Sequence, residues 1–159
     1  MLLDDRLYQD WLLQLQTWAA DGHLLEAGLK ALRLKPGRST QRLERVVERL
    51  GQGDTSDLPT IELLLGSAMP GAAGAYAEST GTIYLNANWL GSASHAQVIA
   101  VLNEELGHHL DAQLNNNDTA GDEGELFALL LNEGTLESLN SDQLRAIRSE
   151  QDQGFIQNT

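Results

Sequence analysis

The apolar positions of the first third recur at helical spacing. Leu7, Trp11, Leu15 and Trp18 fall on one face of a helix, and Asp21-Gly22 breaks it. Leu24, Leu25, Gly28, Leu29 and Leu32 predict a short second helix that Lys35-Pro36-Gly37 closes. A third helix starts at Ser39 or Thr40, carries Leu43, Val46, Val47 and Leu50 inward, and stops at Gly51. Residues 52–59 are polar and read as a linker. The period then shortens. Residues 61–65, Ile-Glu-Leu-Leu-Leu, predict a buried strand, and residues 66–74 a loop of small residues. Residues 75–77 and 82–85 flank Glu78-Ser79-Thr80-Gly81, the pattern of a hairpin with glycine at the tight position. Residues 86–91 leave the sheet. Ser94 and Gln97 have capping-box spacing and open the longest helix, residues 96–114, which Asn115-Asn116-Asn117 ends. Further helices are expected over residues 122–131 and from the Asn140-Ser141 cap onward, with Leu144 and Ile147 inward. The return from period 2 to period 3.6 predicts an α+β fold: a small antiparallel or mixed sheet packed on the 96–114 helix, preceded by a helical part. The expected division is a helical segment over 1–52, an α+β domain over 58–150 and a frayed tail over 151–159.

Composition narrows the function classes. The chain has 159 residues, 42% of them hydrophobic, enough for a core of its own. Its formal net charge is −13, from 23 acidic residues against 10 Lys and Arg. That balance argues against nucleic acid, whose phosphates need neutralising cations, and against anionic membranes. It is compatible with cation binding and with a salty or extracellular setting. Without cysteine there is no thiolate metal site and no disulfide. The first residues carry acids where a signal peptide has its basic region, so they are not expected to be one.

The chemistry concentrates on the 96–114 helix. At about 100° per residue, Val98, Leu102, Leu106 and Leu110 form its core stripe. Glu104 and His108 are i and i+4 and project side by side, with Asp111 further along the same stripe. Glu105 lies next to that stripe, nearer the core, and His109 one turn on. Imidazole with carboxylates suits zinc, manganese or iron better than calcium, which takes oxygen alone. The competing reading is that acids beside a histidine simply solvate an exposed face. Gly107 costs a helix interior roughly 1 kcal/mol against alanine, so a close approach of another backbone or a ligand is expected there. A single E-x-x-H, Glu105 to His108, also occurs in di-iron bundles, but a hairpin does not belong to those. Tyr76 and Tyr84 read as packing or as cleft residues, His23 and His95 as surface residues, and Trp11, Trp18 and Trp89 as core anchors. No serine has nucleophile surroundings.

The stretches GAYAESTGTIYLNANWL (74–90) and VIAVLNEELGHHLDA (98–112) together resemble the core of zincin metallopeptidases, in which a strand of this type precedes a helix bearing HExxH. The register matches without a gap. Glu104 falls at the first ligand histidine, Glu105 at the general base and His108 at the second histidine. The resemblance implies a metal-dependent peptidase, of narrow specificity or self-processing, acting on a peptide or protein. Zinc is the first choice of metal. In the gluzincin branch the third ligand is a glutamate on a later helix; here GDEGELFALLL (121–131) offers Glu123 first, then Asp122 and Glu125. Those three acids equally fit a helix's first turn, where negative charge favours the dipole. Most of the chain is also similar to an N-terminal module of large cyanobacterial and marine bacterial proteins that continue into calcium-binding repeats, which implies an extracellular setting. Glutamate in place of histidine departs from the zincin pattern. It adds negative charge to the ligand shell and blunts the Lewis acidity that activates water. A silent zincin-like module for binding or assembly is therefore the alternative function.

Overall fold

The computed structural model describes residues 3–32, 34, 37–114 and 123–133, with residues 123, 132 and 133 as backbone alone. Helix α1 (Asp5–Asp21) ends at Gly22, and α2 (His23–Ala31) starts directly beyond it, with the Asp21 carboxylate accepting from the His23 amide at 2.9 Å. Helix α3 (Arg38–Gly51) follows. These match the expected helices. Three strands come next: β1 (Thr60–Leu64), β2 (Gly74–Ala77) and β3 (Thr82–Asn86). A single turn, α4 (Ala87–Leu90), leads to α5 (His95–Leu114), and α6 (Glu123–Glu133) packs against it. Asn115-Asn116-Asn117 and the segments from residue 134 onward, including the expected last helix and the tail, lie outside the described residues.

The fold is α+β, with a three-stranded mixed sheet in the order β1-β3-β2. β2 and β3 form the expected antiparallel hairpin, pairing Gly74 with Leu85 and Ala77 with Thr82. Gly81 takes the turn at φ +62°, a left-handed conformation that costs a side chain more than it costs glycine. β1 pairs parallel to β3, Thr60 to Thr82 and Leu64 to Asn86. Burial of residues 61–65 is not what the structure has. β1 is an edge strand whose residues are exposed or half-buried, and Leu65 beyond it is 63% exposed. A short apolar run has the same pattern whether it pairs on one side or on two, so the sequence cannot tell an edge from a centre here.

One hydrophobic core joins both expected segments. It includes Trp11 and Leu15 of α1, Leu24 of α2, Leu43 and Val47 of α3, Ile83 and Leu85 of β3, and Phe127 and Leu130 of α6. Val98, Leu102, Leu106 and Leu110 of α5 are all in it, as their spacing predicts. Among the described residues, the opposite face of the sheet covers a small cluster, Met69 with Ala72 and Ala75 against Leu64 and Tyr84. Trp11 is fully buried and donates from its indole nitrogen to the Asn103 side-chain oxygen at 2.8 Å, tying α1 to α5. Trp18 and Trp89 are only partly buried. His23, expected at the surface, instead donates to the Leu131 carbonyl at 2.6 Å and joins α2 to α6; its 108-residue separation from that partner hides the contact from a local pattern.

Candidate functional site

The capping box forms as expected. The Gln97 amide donates to the Ser94 hydroxyl at 3.1 Å, and the Gln97 side chain accepts from the Ser94 amide at 2.8 Å. This fixes where α5 begins, and therefore which way each later residue points.

Glu104 and His108 are half-buried, and the Glu104 carbonyl and the His108 ring lie against Gly124 of α6. The two helices meet through glycines. A Cβ built on Gly107 would lie 2.8 Å from the Gly124 Cα and 3.1 Å from the Phe127 Cβ. A Cβ on Gly124 would lie 2.5 Å from the Glu104 carbonyl oxygen and 2.7 Å from His108 Nε2. No side chain fits in either place, so the backbones touch. This is the close approach that Gly107 implied. It brings the start of α6 against the Glu104 carbonyl and the His108 ring, with Glu123 the residue next to Gly124. The side chain of Glu123 and all of Asp122 lie outside the described residues. Asp111 and Glu125 are half-buried, and both are engaged in interactions, as are Glu104, Glu105 and His108. Among the described residues, no three His, Asp or Glu side chains converge as a metal shell would require.

Glu105 is the more deeply buried of the two acids. It is 4% exposed. On α5 it stands between Val101, whose methyl group lies 2.5 Å from a Cβ built on Gly74, and His109, which bonds Tyr76; both contacts are with β2. The 101-105-109 stripe therefore faces the hairpin, while the 104-108 stripe faces α6.

His109 is the polar centre of the hairpin side. It is buried, with its ring edge-on to that of Tyr76 at 5.3 Å between centroids. Its Nε2 lies 2.9 Å from the Asp57 carbonyl oxygen, which can only accept, so Nε2 carries the proton. Nδ1 is then the acceptor, and the Tyr76 hydroxyl donates to it at 2.8 Å. The Gln113 side chain beside the same hydroxyl pulls its pKa down, against the larger effect of burial. Burial pulls the His109 pKa below the usual imidazole value, against a smaller opposing effect of the Asp57 carbonyl. Burial likewise raises the pKa of Tyr76. Both groups are held neutral. Asp57 is itself gripped by Arg49, at 2.6 Å from Nε and 3.1 Å from Nη2. The sequence placed His109 near the core but gave no sign of Tyr76 or Asp57 as its partners, because the separations are 33 and 52 residues.

Comparison with protein-family models, with curated proteins and with solved structures finds no match for this chain.

Proposed function

We propose that this chain is a zincin-like binding or assembly module in which Glu104, His108 and a carboxylate from the first turn of α6 hold a divalent transition metal. Zinc comes first, then manganese or iron. The observation that carries the reading is the glycine-to-glycine contact of α5 with α6. It sets the acid-rich start of α6 against an i, i+4 carboxylate–imidazole pair on a neighbouring helix. Such a donor set, one nitrogen with carboxylate oxygens, fits these metals. A metal bound there would tie α5 to α6 and would add to stability by binding only the folded chain.

Two features favour binding over hydrolysis. Glu104 in the histidine position gives the shell an extra negative charge, which weakens activation of water. Glu105, the expected base, is only 4% exposed, so its carboxylate has little access to solvent water. One observation favours the second reading, a metal-dependent peptidase: Glu105 stands one residue after Glu104 and three before His108, the spacing of a zincin base. In that reading the metal would supply the Lewis acid, and Glu105 would take the proton from the attacking water. A peptide would add to an exposed sheet edge through backbone hydrogen bonds. The exposed edge is β1, whereas the strand beside α5, β2, has Ala75, Tyr76 and Ala77 buried.

The test is metal content. The full chain, equilibrated with zinc in chelator-free buffer, is expected to hold one metal per chain by elemental analysis. His108→Ala and Glu104→Gln should each lose it and lower the melting temperature of the zinc-loaded protein. Unchanged metal content in His108→Ala refutes the assignment. Cleavage of a peptide library by the wild type, lost in Glu105→Gln with the metal retained, would establish the peptidase instead. If wild type is silent and Glu104→His gains cleavage, the module is a peptidase fold that has lost its reaction.

A further inference from the structure

On the face of α5 roughly opposite Glu104 and His108, by about 100° per residue, a cavity of about 290 Å³ opens toward α3. One wall is Arg42, Arg45 and Arg49 of α3; Leu110 and Leu114 of α5 and Leu58 give it an apolar floor. Helix α3 holds Arg38, Arg42, Arg45 and Arg49, four of the ten Lys and Arg in the chain, spaced so that 42, 45 and 49 share a face. Arg49 is occupied by Asp57. Among the described residues, Arg42 and Arg45 have no ion pair, in a chain with 23 acids. Solvated arginines on a helix need no explanation. Unpaired arginines walling a cavity with a leucine floor do.

We propose that this cavity binds a small organic carboxylate, with Arg42 and Arg45 on the carboxylate head and the leucines under an apolar body. The proposal is independent of the metal reading, since neither Glu104, His108 nor α6 lines the cavity. Three arguments set the ligand class. Guanidinium donors fork onto carboxylates, and the same wall already shows it, with Arg49 on both oxygens of Asp57. The net charge of −13 repels anions at long range, so a ligand gains only from the local arginines and must reach them closely. At about 30 Å³ per water-sized group, the volume has room for roughly ten non-hydrogen atoms, the scale of an aromatic acid and far below that of a folded partner. The amide of Gln113 at the rim adds a further donor.

The experiment titrates the full chain, stripped of metal beforehand and exchanged into chelator-free buffer at low ionic strength, with benzoate, followed by calorimetry and by amide NMR. Saturable binding at one site is expected, with shifts centred on residues 42–49 and 109–114. The double variant Arg42→Ala/Arg45→Ala should weaken it by at least about tenfold, the scale of lost charge-assisted hydrogen bonds. Both side chains are exposed, so the melting temperature should hold and show that the variant is folded. Arg42→Lys/Arg45→Lys should also weaken binding, because lysine keeps the charge and loses the fork. Benzyl alcohol, the uncharged analogue, should not bind. Absence of saturable binding by wild type overturns the proposal, as does undiminished affinity in the alanine pair or equal binding of benzyl alcohol. Phenyl phosphate binding more than about tenfold tighter than benzoate would overturn the carboxylate assignment in favour of a phosphate head.

Discussion

The two sides of α5 are built in opposite ways. Toward α6 it gives up side chains: Gly107 and Gly124 let the backbones meet, and what packs there is main chain, Phe127 and the His108 ring. Toward the hairpin it buries polar side chains and satisfies them with directed bonds, Tyr76 to His109 and His109 to the Asp57 carbonyl. Close packing of backbone tolerates no added volume, because backbone cannot swing aside. A hydrogen-bonded polar cluster tolerates added volume somewhat better but not the loss of a partner, since a buried unpaired group keeps its full desolvation cost. A motif that looks continuous in sequence thus spans two degrees of burial, with Glu104 and His108 half-buried and Glu105 in the core.

The largest effect should come from adding one methyl group on the α6 side. Gly124→Ala places a Cβ within 2.5 Å of the Glu104 carbonyl. Alanine gains roughly 1 kcal/mol of helix propensity over glycine, yet overpacking should dominate, for a net loss of about 2 kcal/mol in urea unfolding. An unchanged midpoint would mean that the two helices can part freely. On the hairpin side the corresponding change is a deletion. Tyr76→Phe removes the donor to His109 Nδ1 and should cost about 1–2 kcal/mol by the same measurement. If it costs nothing, the hydroxyl is not what holds the imidazole.

Acid should find the hairpin side first. The folded-state pKa of His109 lies below its unfolded value near 6.5, chiefly through burial, so the unfolded chain takes up the proton more readily. Stability from neutral His109 is then complete above pH 6.5 and is lost as pH falls from there through the folded pKa, at up to about 1.4 kcal/mol per pH unit. His109→Gln should flatten that slope in chelator-containing buffer, whatever it does to stability at neutral pH. Equal slopes in the two proteins would show that other groups set the acid limit. The smallest effect is expected at the outer support of this side. Arg49→Ala frees Asp57, but the pair is partly exposed, and the shift in the urea midpoint should be the smallest of the four.

The same contrast explains what the sequence made legible. The start of α5, its core stripe and the close approach at Gly107 all follow from local spacing and from the cost of glycine, and the structure has all three. Glu105 was placed nearer the core than Glu104, and it is. The partners of His109 were not readable, because they arrive from a strand and a loop far off in the chain. Burial of residues 61–65 was misjudged because neighbours across a sheet leave no mark on a five-residue run. The arginine face of α3 is legible in the spacing: residues 42, 45 and 49 share one helical face in a chain with few cations.

The sheet carries a consequence for the order of assembly. β2 and β3 are joined by four residues, 78–81, so their pairing closes a short loop at little entropic cost. β1 must wait until the chain has passed through β2 before it can lie parallel to β3, and it then has a neighbour on one side only. It joins late and holds on with half the ladder bonds of a central strand. Its amides should therefore exchange with solvent through local opening long before those of β3, and brief separations of this strand would expose a hydrogen-bonding edge of β3 without unfolding the helices around it.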